Sequence, residues 1–353
     1  MPRLRDLNIT IGTFPTGKHN AITDVADVLV GHTTLIYDEP RVARTGVTVI
    51  VPRRGEIWRD NAPAGYHSFN GCGEMTGTHW IEEAGVLSTP IAITCTHSVG
   101  TAHEALGKYG QAHGYTHIFT LPVVAETYDG RLNDADAHHL TEQHVFQAIE
   151  TASDGAIAEG NVGGGTGMIC HGFKGGIGTA SRSAENRSGR WTVGALVQTN
   201  YGRRHLLRVD GVPVGQELGP DVVPLPSQPS GDGSIIVIIA TDAPLIPSQC
   251  KRLAQRATVG LARVGGVGHN FSGDIFLAFS TGNHVPDHGA GLIDLKMMPH
   301  EHMDALFEAA AEAVEEAILN ALCAAETMVG HQGYTVNALP LDKVQAVPKK
   351  YGR

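Results

Sequence analysis

The chain has 353 residues, 42% of them hydrophobic and 18% charged, enough for one large globular domain or two ordinary ones. A formal net charge of −10 argues against a nucleic-acid or anionic-membrane partner. No apolar stretch is long enough to span a bilayer, and residues 1–10 lack the apolar core and cleavage site of a secretory signal, so the expected address is cytoplasmic.

In chain order, strand-like runs fall at residues 47–51, 91–96, 118–124, 193–198, 234–240 and 275–280. Helical stretches lie between them. Residues 134–152 form one, with His138 and Glu142 at one-face spacing but no H-E-x-x-H pattern, so His138, His139 and His144 read as a solvated face. Residues 249–264 form another, with Leu253, Ala257 and Leu261 four apart. The clearest is 302–329, where Leu306, Ala310, Val314, Ile318 and Leu322 make an apolar stripe. The mixture predicts an α/β or α+β layered domain. Residues 219–233, rich in Pro, Ser, Gly and Asp, have linker composition.

The glycine-rich string at 161–168 has no Gly-Lys-Ser/Thr ending and no dinucleotide context, so it reads as a loop packed against another backbone. Five cysteines without a C-x-x-C pair fit reduced, mostly buried thiols, and no cysteine–histidine spacing supports a metal.

Ser234 is the most informative residue. It follows Gly233 at the end of the linker and opens the run Ile235-Ile236-Val237-Ile238-Ile239. Cleavage of the Gly233–Ser234 bond would give one residue both a hydroxyl nucleophile and a free α-amine, whose ordinary pKa of about 7.7–8.0 suits a general base. Three further candidates sit at strand ends. Ser272 and Asp274 precede the run at 275–280 and are placed to relay a proton. Glu126 and Tyr128, two apart, face one pocket. Asn200 offers an amide donor to an oxyanion.

Taken together, these segments resemble the self-processing serine aminopeptidases, comprising the DmpA-type L-aminopeptidase/D-amidase-esterases and the BapA-type β-aminopeptidases. The likeness runs nearly end to end, through Asn70-Gly71-Cys72-Gly73-Glu74-Met75-Thr76-Gly77, Glu126-Thr127-Tyr128-Asp129-Gly130, the string at 161–168, Gln198-Thr199-Asn200-Tyr201-Gly202, Gly233-Ser234 and Ser272-Gly273-Asp274. The resemblance implies a four-layer αββα sandwich, like that of N-terminal-nucleophile hydrolases but with different connectivity. It implies a single domain, residues 1–353, cut by itself into chains 1–233 and 234–353. By motif match Ser234 is the nucleophile, Ser272 and Asp274 its support, and Asn200 the oxyanion residue. Tyr128 matches a site tyrosine, and Glu126 the acid that meets the substrate's amino group. The implied substrates are small peptides and amino-acid amides or esters, with no metal or organic cofactor. The implied assembly is a homotetramer of cleaved heterodimers. Cys72 stands where a non-thiol residue is expected, and the missing signal peptide favours the DmpA side. Two other readings stay open: an acyltransferase with an amine acceptor, and a non-catalytic binding protein on the same fold.

Overall fold

Strands that are apolar on both faces must be covered on both faces, and that requirement organises the molecule. The computed structural model describes residues 1–54, 57–115, 120–226, 233–287 and 291–352. Its first sheet takes β1 (Leu29–Tyr37), β2 (Ala43–Val51), β4 (Ile91–Cys95) and β5 (Val123–Thr127) in the order β1-β2-β4-β5. Only the β4–β5 pair is parallel. The second sheet takes β3 (Asp60–Ser68), β6 (Gly176–Asn186), β7 (Gly189–Tyr201), β8 (Gly233–Thr241) and β9 (Asp274–Ser280) in the order β3-β9-β8-β7-β6. There the β8–β9 pair is parallel and its neighbours are antiparallel.

The two sheets face each other across a core that includes Ile50, Ile93, Leu196, Ile236, Ile238 and Leu277. Helix α1 (Thr78–Ala84) sends Ile81 into this core, and helices α2 (Val99–Ala112) and α3 (Glu142–Glu150) cover the outer face of the first sheet through Ala102, Leu106, Val145 and Ala148. Helices α4 (Pro247–Ala254), α5 (Ala257–Val264) and α6 (Asp304–Ala324) cover the outer face of the second. The layers are therefore αββα. Strand β8 reads as an unbroken apolar run because Ile236, Ile238 and Ala240 enter the inter-sheet core while Ile235, Val237 and Ile239 enter the helix-side core.

Several elements depart from the sequence expectation. The stretch 134–152 is not one helix: Ala135–Ala137 makes a single 3-10 turn, and His138 adopts a left-handed conformation at φ 49°. Helix α3 starts only after Thr141, whose N–H donates to His144 Nδ1 at 3.1 Å. His139 instead meets the Tyr37 hydroxyl and the Val42 carbonyl, so the three histidines do not share a solvated helix face. Residues 249–264 divide between α4 and α5, with the break at Gln255 and Arg256. Helix α6 ends at Ala324, because Ala325 turns extended and Met328–Val329 pairs with Thr335–Val336. Of the run 118–124, residues 118 and 119 lie outside the described residues, and β5 begins at Val123, just after Pro122. In the linker, residues 227–232 likewise lie outside the described residues.

Helix α6 carries acids into the core. Arg182 donates to Glu312 at 2.9 Å and to Glu316 at 2.6 Å, while Arg5 and Asn20 reach Glu316 at 2.8 and 2.6 Å. Burial alone would push the Glu316 carboxyl up, yet Arg5 and Arg182 hold it below the usual carboxylate range. The cations precede Gly233 and the anions follow Ser234, so this network ties residues 1–233 to residues 234–353.

Candidate active site

Alternation along β8 puts Ser234 on the inter-sheet side with Ile236 and Ile238. It pairs with Asn200 of β7, while Gly233 pairs with Tyr201. Ser234 is 6% exposed, and its Oγ accepts the Gly273 N–H at 3.0 Å. The expected nucleophile is therefore held at the strand start by a backbone donor from the turn before β9.

That turn also carries the supporting groups. Ser272 Oγ donates to Asp274 Oδ1 at 2.6 Å, and the Ile235 N–H reaches the same oxygen at 3.2 Å. Asn70 donates to Asp274 Oδ2 at 3.0 Å and accepts the Asp274 N–H at 2.6 Å. Burial raises the Asp274 carboxyl above its ordinary value, against the pull of these donors. Asn70 is a residue that sequence reasoning left without a role. An asparagine before a glycine reads as a turn residue, and only folding brings it to a carboxylate 204 positions away.

Asn200 is oriented at both ends of its amide. Its Oδ1 accepts the Ile169 N–H at 2.8 Å, and its Nδ2 donates to the Tyr128 carbonyl at 2.9 Å. An amide has two N–H donors, so among the described residues one remains open to a substrate oxygen. Glu126 is buried at the end of β5, where the Glu74 N–H donates to Oε1 at 3.0 Å and the Thr96 hydroxyl donates to Oε2. Burial raises its carboxyl, with those two donors opposing. The Tyr128 ring is half exposed, lying over Gly130 with the His97 ring 5.9 Å away.

Ser234, Gly233, Asn200, Glu126 and Tyr128 line one cleft of about 520 Å³ together with Phe271 and others, whereas Ser272 and Asp274 are buried behind Ser234 and do not line it. Cys72 also lines it and is exposed. The remaining cysteines are buried free thiols, and burial pushes Cys95, Cys170 and Cys323 up to about 12. The glycine-rich string spends its donors inside the protein: the Gly163 and Gly164 N–H groups go to the hydroxyls of Thr34 and Thr48 at 2.8 and 3.2 Å. It is a packed loop between the sheets, as its composition suggested.

Residues 20–336 match the family model "Peptidase family S58". The chain belongs to peptidase family S58. This S58 chain is 48% identical over 370 residues to a β-peptidyl aminopeptidase, BapA, of Sphingosinicella microcystinivorans, covering 100% of the chain and 93% of that relative. A Burkholderia sp. β-aminopeptidase superposes with a TM-score of 0.94 at 52% identity, covering 100% of this chain and 99% of that one. The L-aminopeptidase D-Ala-esterase/amidase of Ochrobactrum anthropi superposes with a TM-score of 0.93 at 46% identity, covering 100% and 99%. That structure is described as a variant of the Ntn hydrolase fold, which agrees with the αββα layers here. Membership in S58 makes the chain a hydrolase of the aminopeptidase kind. No helix among the described residues is long and apolar enough to cross a membrane.

Proposed function

We propose that the chain cuts itself between Gly233 and Ser234 and then releases N-terminal aminoacyl groups from small peptides, amides or esters through a Ser234 acyl-enzyme. The observation that carries this reading is the single cleft that holds Ser234, Asn200 and Glu126 together. Ser234 Oγ attacks the carbonyl, and the freed Ser234 α-amine takes its proton. Ser272 and Asp274 steer that amine. The second Asn200 N–H faces the oxyanion, a type of donor worth about 2.7–4 kcal/mol. Tyr128 serves through its backbone carbonyl, which aligns Asn200, and through its ring at the cleft rim. Glu126, ionised, pairs with the substrate ammonium. As the tetrahedral adduct collapses, the scissile C–N or C–O bond breaks, the α-amine returns its proton to the departing amine or alcohol, and water then hydrolyses the Ser234 ester to release the acyl group.

Interleaving of β7 with β8, and the Arg182–Glu312–Glu316–Arg5 network, support two chains that stay associated after cleavage. We propose further that cleaved heterodimers assemble as a homotetramer in the cytoplasm, a compartment that suits free cysteines. Light scattering of the purified protein tests the assembly; a stable monomer contradicts it. The Glu126→Gln variant tests the site. It should lose hydrolysis of free-amine substrates while still cutting itself, because the scissile bond carries no amine. Equal loss of both, or efficient hydrolysis of N-acetylated substrates by the wild type, would defeat the assignment.

A further inference from the structure

The two halves of the cleft belong to different sheets: Glu126 is the penultimate residue of β5 in one, and in the other Ser234 is the second residue of β8, beside Asp274 at the start of β9. One loop spans them. On the second-sheet side the Phe69 N–H donates to the Asp274 carbonyl at 2.9 Å, and the Cys72 N–H to the Ser272 carbonyl at 3.1 Å. Asn70 adds its two bonds to Asp274. On the first-sheet side the Glu74 N–H holds Glu126 Oε1, and the Thr76 N–H donates to the Val124 carbonyl at 2.9 Å. The loop is thus anchored at both ends to the residues whose separation matters.

Its middle is a contact between two glycines. A Cβ on Gly73 would lie 2.9 Å from Gly273 Cα and 3.4 Å from Glu126 Oε1. A Cβ on Gly273 would lie 2.5 Å from Gly73 Cα. Neither position has room for a methyl group, so the backbones meet at their closest approach. Gly273 also supplies the N–H that holds Ser234 Oγ.

We propose that this loop is a ruler, and that the Gly73–Gly273 contact sets the distance from the Glu126 carboxylate to Ser234 and so decides between α- and β-aminoacyl substrates. The proposal rests on the assignment of Glu126 to the substrate ammonium. In an α-aminoacyl group the amine nitrogen lies about 2.5 Å from the carbonyl carbon, and a β-aminoacyl group inserts one more carbon–carbon bond of about 1.5 Å. A site that fixes both ends discriminates by that bond. Adding a methyl at Gly73 pushes the halves apart and favours the longer substrate.

The test compares glycine p-nitroanilide with β-alanine p-nitroanilide, which differ by one methylene and carry no side chain. Gly73→Ala should raise the β-to-α ratio of kcat/KM by about tenfold, within the range that one misfit methylene commands. Glu126→Asp, which retracts the carboxylate by about 1.5 Å and gives up the Glu74 N–H bond but leaves the Gly73–Gly273 contact in place, should move the ratio the same way. An equal fall on both substrates in Gly73→Ala overturns the ruler. If that variant fails to fold, Glu126→Asp decides alone, and an unchanged ratio overturns it. Glu126→Gln separates the two levels. If it spares free-amine substrates, the ammonium assignment fails and takes the ruler with it. If it abolishes them while Gly73→Ala leaves the ratio fixed, only the ruler fails.

Discussion

Gly233→Ala probes how the start of β8 prepares the scissile bond. Gly233 sits at φ 54°, where an L side chain costs about 1–2 kcal/mol. Its Cβ would lie 1.9 Å from the Asn200 carbonyl oxygen, and this contact is with backbone that is fixed in the β7–β8 ladder. An ordinary carbon–oxygen contact needs about 3.3 Å, so the strand end must withdraw by roughly 1.4 Å. Displacement of about 1 Å from an attack geometry costs about a hundredfold in rate. Self-cleavage of Gly233→Ala should therefore slow by about a hundredfold. A time course on denaturing gels follows conversion of the 37.3 kDa chain to fragments of about 25 and 13 kDa, in proportion to 233 and 120 of the 353 residues. Whatever fraction is cut should hydrolyse aminoacyl p-nitroanilides normally, because residue 233 is then a chain end. Cleavage of Gly233→Ala at the wild-type rate would mean that neither the φ of residue 233 nor the Asn200 carbonyl governs the scissile bond.

Other expectations follow from the same contacts. Glu126 must be ionised to pair with an ammonium, and burial raises its carboxyl. The acid limb of kcat/KM on free-amine substrates should therefore lie above the ordinary carboxylate value of about 4.3. Thr96→Val, which removes a donor that lowers it, should shift that limb further up; a pH profile unchanged from wild type counts against the role. Asn70→Ala leaves the Asp274 N–H and Oδ2 without this partner, should cost about 1–3 kcal/mol of stability in denaturant titration, and should lower kcat/KM in steady-state kinetics. Arg182→Met takes the guanidinium from buried Glu312, while Glu316 keeps Arg5 and Asn20, and should destabilise the protein by about 3 kcal/mol in denaturant titration. In the wild type the Glu316 carboxyl is lower when folded, so its stabilisation is present above the ordinary carboxylate pKa. It is lost as pH falls through the lowered value.

The layered fold was legible where both faces of a strand are apolar, as at 234–240, or where a helix carries a long stripe, as at Leu306 to Leu322. It was not legible in β6, whose Thr179, Ser181 and Arg182 are buried by partners distant in sequence rather than by an apolar pattern. The helix expected at 134–152 failed because His138 takes a left-handed conformation and Thr141 caps a later start. At the site, Ser234 stood out by its position between a linker and a buried run. Ser272, Asp274 and Asn200 were candidates by residue type at strand ends, Tyr128 and Glu126 took their roles from resemblance, and folding gathers the five around one cleft or directly behind it. The Asn70–Asp274 clasp and the Gly73–Gly273 contact had no sequence signal. Each joins segments about two hundred residues apart through backbone proximity, which no local pattern encodes.

The most direct measurement is the intact mass and N-terminal sequence of the purified protein beside its Ser234→Ala variant, with both assayed on aminoacyl p-nitroanilides. The wild type should give two fragments, the smaller beginning Ser-Ile-Ile-Val, and Ser234→Ala should remain a single uncut, inactive chain. Full aminopeptidase activity in Ser234→Ala, or a fully active wild type that remains one chain, would contradict it.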